Sequence, residues 1–404
     1  MTLSEELQWR GFVNQTTFDD LTALDGDPIS FYWGVDPSAP SMTIGNFAAG
    51  MMVRHFINHG HRAHLLVGGA TGMIGDPDGK SDERNLKTLD EITANKAAIV
   101  EQYNKIFAGQ PFEIVDNYDW FKDFNYLAFL RDVGKYVPLS QMIGRDFVQS
   151  RLGEDGNGIS YAEFSYSLIQ GYDFLHLYRN NGVTLQLSGA DQWGNSLAGV
   201  DLIRRIDTGE ANVFTAPIIV NKATGVKFGK SEEGAVWLDP KLTSIYKFYQ
   251  FWLNVDDEGA IDYAKIYTLL SKEQIDELAA KQQENPGDRD IQKTLAYEVT
   301  KLVHGEAAAE SAKKVTSVLF GGAAFSDLSS EDIELLAGEI PVVNVGASVV
   351  DLLADSGVVE SKGEARRLIL GGAISVNGEK IADDQQVDQP SLIKKGKNSF
   401  LLVR

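Results

Sequence analysis

The sequence predicts an α/β fold in which a parallel sheet is followed by an all-helical domain and a small α+β module at the end of the chain. Three observations carry this prediction. Residues 31–35 and 63–67 read as buried strands on either side of an amphipathic helix over 44–58 that stops at Gly60, and strand, helix, strand is the opening of a parallel sheet. From 244 to 320 the apolar spacing is helical with few strand signals. From Pro341 onward the chain carries eight basic and eight acidic residues, so the whole net charge of −20 lies before that point and the tail is a compositionally distinct module.

Further strands are expected at 184–187 and 216–220, with helices at 163–178 and 195–205. Residues 328–347, with Gly338, Pro341 and Gly346, read as a connector, and there is no internal repeat. A length of 404 residues fits two or three domains. There are no cysteines, which excludes disulfides, thiolate catalysis and zinc fingers. No apolar run approaches the ~20 residues needed to cross a bilayer, and the acidic start Met1-Thr2-Leu3-Ser4-Glu5-Glu6-Leu7 is unlike a secretion signal, so a soluble cytoplasmic protein is expected. The negative charge argues against nonspecific nucleic-acid binding.

Two loops follow the first two strands. Gly34-Val35-Asp36-Pro37-Ser38 and the residues up to Asn46 bring polar groups to the carboxyl end of a strand and open a helix, where free backbone N–H groups attract phosphate. The alternative there is a plain helix cap at Thr43, and Gly45 in the first turn tips the balance toward close approach of a ligand. Gly68-Gly69-Ala70-Thr71-Gly72-Met73-Ile74-Gly75-Asp76-Pro77 has a glycine spacing like that of dinucleotide-binding folds. A dehydrogenase is therefore a rival reading, but Asp76-Pro77 stops the helix that should follow, and the motif comes after the second strand. Asp76 is free to hold a cationic group, and Lys80 and Arg84 to reach phosphates or a carboxylate.

Lys227-Phe228-Gly229-Lys230-Ser231 packs two lysines and a hydroxyl around a glycine, with Gly225 and Gly234 as possible hinges, and has the makings of a phosphate clamp. Tyr166, Gln170 and Asp173 recur at i, i+4 and i+7 and share one helical face. Such groups on an apolar helix are costly to bury without a partner, so polar ligand recognition is preferred to a solvated stripe.

Seven motifs stand in one order: Gly34 to Ser38, Gly68 to Pro77, Asn117-Tyr118-Asp119-Trp120, Phe164-Ser165-Tyr166, Gln170-Gly171-Tyr172-Asp173, Gly189-Ala190-Asp191-Gln192-Trp193-Gly194-Asn195, and Lys227 to Ser231. In these the chain resembles the bacterial-type tyrosyl-tRNA synthetases over its whole length, with Lys227 to Ser231 in the place of that family's KMSKS loop. The resemblance implies a Rossmann-like catalytic domain over 1–222 with a dimer-forming insert at about 122–160. It further implies a mobile loop over 223–240, a helical anticodon-region domain over 241–325, a linker over 326–345 and a ribosomal-protein-like RNA-binding domain over 346–404.

The implied reaction is the ATP-dependent attachment of L-tyrosine to tRNA(Tyr) through a tyrosyl adenylate, with Mg2+ accompanying ATP and no resident metal, by a homodimer. It needs positioning and stabilisation of phosphate charge rather than a nucleophile and base. By resemblance, Tyr32 and Asp173 hydrogen-bond the substrate phenol, Asp76, Tyr166 and Gln170 hold its ammonium group, and Thr71 and Gln186 complete the tyrosine site. Asp36, Gly45, Gly189, Asp191, Gln192, Ile219, Val220 and Lys230 belong to the ATP site. Thr43, Asn46, Lys80, Arg84, Lys227, Lys230 and Ser231 are the implied catalytic groups on the phosphates. Phenylalanine would leave Tyr32 and Asp173 unpaired and is expected to be rejected.

The chain departs from this family where its HIGH signature has histidines. Thr43 and Asn46 stand there, able to donate hydrogen bonds but not to carry charge, so activity with altered phosphate contacts is expected. Trp33 replaces a small residue near the ribose and is expected to crowd that side, and Ser188 and Ala190 are smaller departures. Four histidines, His55, His59, His61 and His64, cluster without an interleaved carboxylate and are read as structural rather than metal-binding.

In the tail, Ser361 caps a helix bearing Lys362, Arg366 and Arg367, Asn377-Gly378 reads as a hairpin turn, and Lys394, Lys395 and Lys397 cluster. RNA-backbone contact is preferred to a solvated basic helix. Two other rivals stay in view: an RNA-binding protein that has lost adenylation, grounded only on Thr43 and Asn46, and a tryptophan-specific relative, opposed by the phenol-sized pair Tyr32 and Asp173.

Overall fold

The computed structural model describes residues 1–77, 86–153, 156–231 and 234–404, with only the backbone at 146, 147, 230 and 231. The chain divides into two compact units, Met1–Thr243 with Val255–Leu295, and Ser244–Asn254 with Ala296–Arg404.

The first unit is built on a six-stranded sheet among the described residues. Its strands are β1 (Gln15–Thr16), β2 (Ser30–Val35), β3 (Arg62–Val67), β4 (Phe112–Asp116), β5 (Leu185–Gly189) and β6 (Asn212–Ala216), in the spatial order β1-β6-β5-β2-β3-β4. All neighbours are parallel except β1, which runs antiparallel along β6. The chain runs outward from β2 through β3 to β4, then restarts at β5 on the other side of β2. That reversal opens a crevice at the carboxyl ends of β2 and β5, where open α/β sheets take their ligands.

Helices α1 (Leu3–Arg10), α2 (Ile44–Asn58), α3 (Leu89–Ile106), α4 (Tyr161–Asn181), α5 (Trp193–Asp207) and α6 (Ala260–Tyr267) belong to this unit. α2 has the predicted limits, and the positive φ of Gly60 (+89°) follows its end at Asn58. β2 carries aromatics to both faces because side chains alternate along a strand. Phe31 meets Phe56 of α2 at 5.5 Å, and Tyr32 meets Phe174 of α4 at 5.3 Å. Each such buried ring stabilises the fold by about 1.5–3 kcal/mol. The strand expected at 216–220 lies instead at Asn212–Ala216, because Pro217 has no N–H to continue the ladder.

The second unit packs helices Ile245–Leu253, Glu306–Phe320 and Ser330–Ala337 around Val315, Leu319 and Leu336. Leu392, Phe400 and Leu402 of the tail sheet join this core. The segment read as a connector holds the Ser330–Ala337 helix, and Val342–Val343 extends the tail sheet beside Ser399–Val403. Its polar residues cap that helix: Ser329 accepts from Asp332 N–H, and Asp332 accepts in return from the Ser329 N–H. Asn377 and Gly378 take positive φ and turn the hairpin between Ile374–Val376 and Glu379–Lys380, as their sequence demands.

Candidate active site

A cavity of about 330 Å³ lies at the carboxyl ends of β2 and β5. β2 and its loop supply Tyr32, Asp36, Thr43, Gly45 and Asn46; the segment after β3 supplies Thr71 and Asp76; α4 supplies Tyr166, Gln170 and Asp173 from its shared face. β5 and the turn after it add Gln186, Gly189, Asp191 and Gln192, and Ile219 and Lys227 close the wall. The structure thus brings together nearly all the site residues expected from the sequence. Lys80 and Arg84 lie outside the described residues, as do the side chains of Lys230 and Ser231. Val220 stands off the wall, 44% exposed, with its backbone in an antiparallel bridge to Lys227.

A hydrogen-bond web fixes the far end of the cavity. Asp36 accepts from the Thr71 hydroxyl (2.6 Å) and the Tyr166 phenol (2.7 Å). Asn117 takes the Ala70 N–H on its oxygen (2.6 Å) and donates from its nitrogen to Thr71 (3.0 Å) and Asp173 (3.1 Å). The Trp120 indole donates to the other Asp173 oxygen at 2.9 Å and stacks on His176 at 4.4 Å. Gln192 donates to Asp76 and is itself held by Asn195. Gly68 is needed here, since a Cβ would sit 2.1 Å from Asp36 and 2.3 Å from Thr71. The motif reading leaves Asn117 and Trp120 without a role in the site; their signal is position, just past the carboxyl end of β4.

Burial sets the electrostatics. It pushes the Asp173 carboxyl well above the usual carboxylate range, against the hydrogen bonds from Asn117 and Trp120, and the charges of Asp36 and Asp116 push the same way as burial. Burial, then the Asp173 charge, raises the Tyr32 phenol, and burial with the Asp36 and Asp76 charges raises Tyr166, so both phenols stay neutral. Among the described residues, three buried polar atoms of wall residues have no hydrogen-bond partner: Tyr32 Oη, Gln170 Oε1 and Gln186 Oε1. An unmet buried group costs about 1–3 kcal/mol, so three on residues that line one cavity fit a site for a polar ligand.

At the mouth, the Thr43 N–H and hydroxyl both donate to Asn46 Oδ1, each at 3.0 Å. The amide nitrogen of Asn46 makes no bond within the described residues. The Lys227 to Ser231 segment lies along this helix start: Ile44 N–H donates to Val236 O, Val236 N–H to Gly229 O, and Phe228 N–H to Ile219 O. Its last residues pair with Gly234–Ala235. Gly229 is required twice over, by its φ of +92° and by Ile44, whose Cγ1 a Cβ would meet at 2.6 Å. Lys227 is exposed on the wall. Trp33 lines the cavity from between sheet and helices, packed against Tyr103 at 5.5 Å and Phe107 at 6.3 Å, and is 3% exposed.

The four clustered histidines have other partners. His55 and His59 approach Glu6 of α1, His61 accepts the Ile29 N–H, and His64 lies beside Glu113. In the tail, Arg366, Arg367 and Lys397 are exposed, and Lys362 is exposed but paired with Asp351 at 2.7 Å. The lysines at 394 and 395 depart from the expected RNA-facing cluster: they donate to the carbonyls of Leu319 and Val358, because their stems lie half-buried on the sheet.

A family model described as tRNA synthetases class I (W and Y) matches residues 24–321, and one described as the tyrosine–tRNA ligase SYY-like C-terminal domain matches 332–404. The chain is 42% identical to the tyrosine–tRNA ligase of Limosilactobacillus reuteri, covering 100% of both chains. It is 44% identical to that of Porphyromonas gingivalis, covering 100% of this chain and 99% of the relative. Among solved structures, the C-terminally truncated mitochondrial tyrosyl-tRNA synthetase of Aspergillus nidulans matches with a TM-score of 0.70 at 30% identity, over 77% of this chain and 92% of its own.

Proposed function

The chain belongs to the class I tRNA synthetases (W and Y), among the tyrosine–tRNA ligases, and from that premise we propose how its cavity carries out the reaction. The enzyme joins L-tyrosine to tRNA with ATP. In the first step a tyrosine carboxylate oxygen bonds to the α-phosphorus of ATP, and the bond to the bridging oxygen of pyrophosphate breaks. In the second a terminal ribose hydroxyl oxygen of the tRNA bonds to the carbonyl carbon and releases its proton, and the bond from that carbon to the phosphate oxygen breaks, its electron pair leaving on AMP.

The substrate phenol sits between Tyr32 and Asp173. Its hydroxyl donates to the Asp173 carboxylate, which Asn117 and Trp120 already orient, and accepts from Tyr32 Oη. The ammonium group is met by Asp76, Tyr166 and Gln170, with Thr71 and Gln186 around it. ATP enters as its Mg2+ complex, a substrate, along Asp36, Gly45, Gly189, Asp191, Gln192 and Ile219. Asn46 and Lys227 meet its phosphates, joined by Lys80, Arg84, Lys230 and Ser231, which the family resemblance alone supplies. The tail arginines Arg366 and Arg367 with Lys362 and Lys397 contact the RNA backbone. The protein works as a homodimer in the cytoplasm; no helix among the described residues is long and apolar enough to cross a membrane.

The single observation that carries the tyrosine site is the buried Tyr32 hydroxyl, without a hydrogen-bond partner among the described residues, on the same cavity as the buried Asp173. Exchange of labelled pyrophosphate into ATP, run separately with tyrosine, phenylalanine and tryptophan, tests it. Exchange with tyrosine alone is expected. Exchange with tryptophan instead would transfer the site to the other branch of the family, and none at all in folded protein that binds tRNA would leave only the RNA-binding reading.

A further inference from the structure

Residues 220–229 leave the sheet region, turn at Gly225 (φ +68°) and come back so that Val220 bridges to Lys227. Phe228 closes this turn, buried and stacked on Tyr263 of α6 with ring centroids 4.2 Å apart and 22° between planes; Tyr267, one helical turn on, is 5.9 Å away. Tyr263 is folded back over the start of its own helix, where a Cβ on Gly259 would lie 2.4 Å from the ring. Its hydroxyl accepts the Lys222 N–H at 3.2 Å and donates to Asp256 at 3.2 Å. One phenol therefore holds the turn at both of its ends, by a ring face at Phe228 and a hydrogen bond at Lys222.

Tyr263 and Lys222 do not line the cavity where tyrosine and ATP are placed, whereas Phe228 and Lys227 do, and Lys227 stands between the two held ends. We propose that Tyr263 is a positioning residue for tyrosine activation: stacked on Phe228 and bonded to Lys222, it fixes where the Lys227 ammonium meets the phosphates of ATP. The inference rests on the reading of Lys227 as a phosphate-binding group. A lysine whose backbone is held needs less ordering when the transition state forms, and an aromatic pair contributes enough to change its population in the active position about fivefold.

The test is tyrosine-dependent pyrophosphate exchange by the full chain, with kcat and the tyrosine KM measured for Phe228→Leu, Tyr263→Leu, their double variant, Tyr263→Phe and Lys227→Ala. Phe228→Leu and Tyr263→Leu are each expected to lower kcat about fivefold with the tyrosine KM unchanged, and the double variant to be no worse than the poorer single. Tyr263→Phe keeps the stack but loses the bond to Lys222, and is expected to lose less of kcat than Tyr263→Leu. Multiplied losses in the double variant, or a tyrosine KM that rises in step with the loss of kcat, would overturn the proposal. A loss in Lys227→Ala with none in Phe228→Leu would do the same while leaving the phosphate reading intact; no loss in Lys227→Ala would remove that reading first. If Tyr263→Leu fails to fold, Phe228→Leu and Tyr263→Phe still decide, since one removes the stack from the loop side and the other preserves it.

Discussion

Thr43 and Asn46 meet each other before they meet any ligand. With Asn46 Oδ1 taking two hydrogen bonds from Thr43, the amide nitrogen is left as a neutral donor, without a partner among the described residues, on a residue that lines the cavity. A hydrogen bond to a charged phosphate is worth about 1.5–3 kcal/mol, so Asn46→Ala should lower kcat of pyrophosphate exchange at least about tenfold while leaving the tyrosine KM in place. An unchanged kcat would show that the neutral pair has no share in phosphate contact. At this scale the sequence revealed much: the i, i+4, i+7 spacing of Tyr166, Gln170 and Asp173 foretold a common face, and all three line one wall. It could not reveal that Asn46 and Thr43 bond to each other, that Asn117 and Trp120 support Asp173, or that Lys394 and Lys395 are spent on carbonyls, because these depend on which backbone each side chain folds against.

Elements with one dominant local signal were legible. α2 begins at a threonine cap and ends before a positive-φ glycine, and its limits follow from those two residues. The strand near 216 was misplaced because the apolar run Ile218-Ile219-Val220 outweighed Pro217, whose missing N–H ends the ladder one residue earlier. The stretch around 330–343 reads as a connector because its helix is short and acidic, and its burial comes from packing against the Glu306–Phe320 helix and the core that helix shares with the tail sheet.

The insert is the element with the clearest unmet surface. Tyr126, Leu127, Leu139 and Leu152 are 54–72% exposed, an apolar display that a second copy would cover. Sedimentation of the full chain should show a dimer, and Leu127→Asp should shift it toward monomer; a monomeric wild type at micromolar concentration would contradict the homodimer.

In the whole molecule, the cavity and the tail lie in separate compact units, and the whole net charge of −20 lies before residue 341, the tail being neutral in sum. On the proposed function, that partition would let a protein of net charge −20 bind RNA through the exposed Arg366 and Arg367. Arg366→Ala with Arg367→Ala should weaken tRNA binding and flatten its salt dependence, with pyrophosphate exchange unaffected; equal loss of exchange would tie the tail to catalysis rather than to RNA.

The central claim is that this cavity reads the phenol of tyrosine through Tyr32 and Asp173, and the most direct measurement is the ratio of kcat/KM for tyrosine over phenylalanine in wild type and in Tyr32→Phe. A lost hydrogen bond of about 1 kcal/mol should cut kcat/KM for tyrosine roughly fivefold and leave that for phenylalanine level or higher, narrowing the ratio. An unchanged ratio would contradict the account.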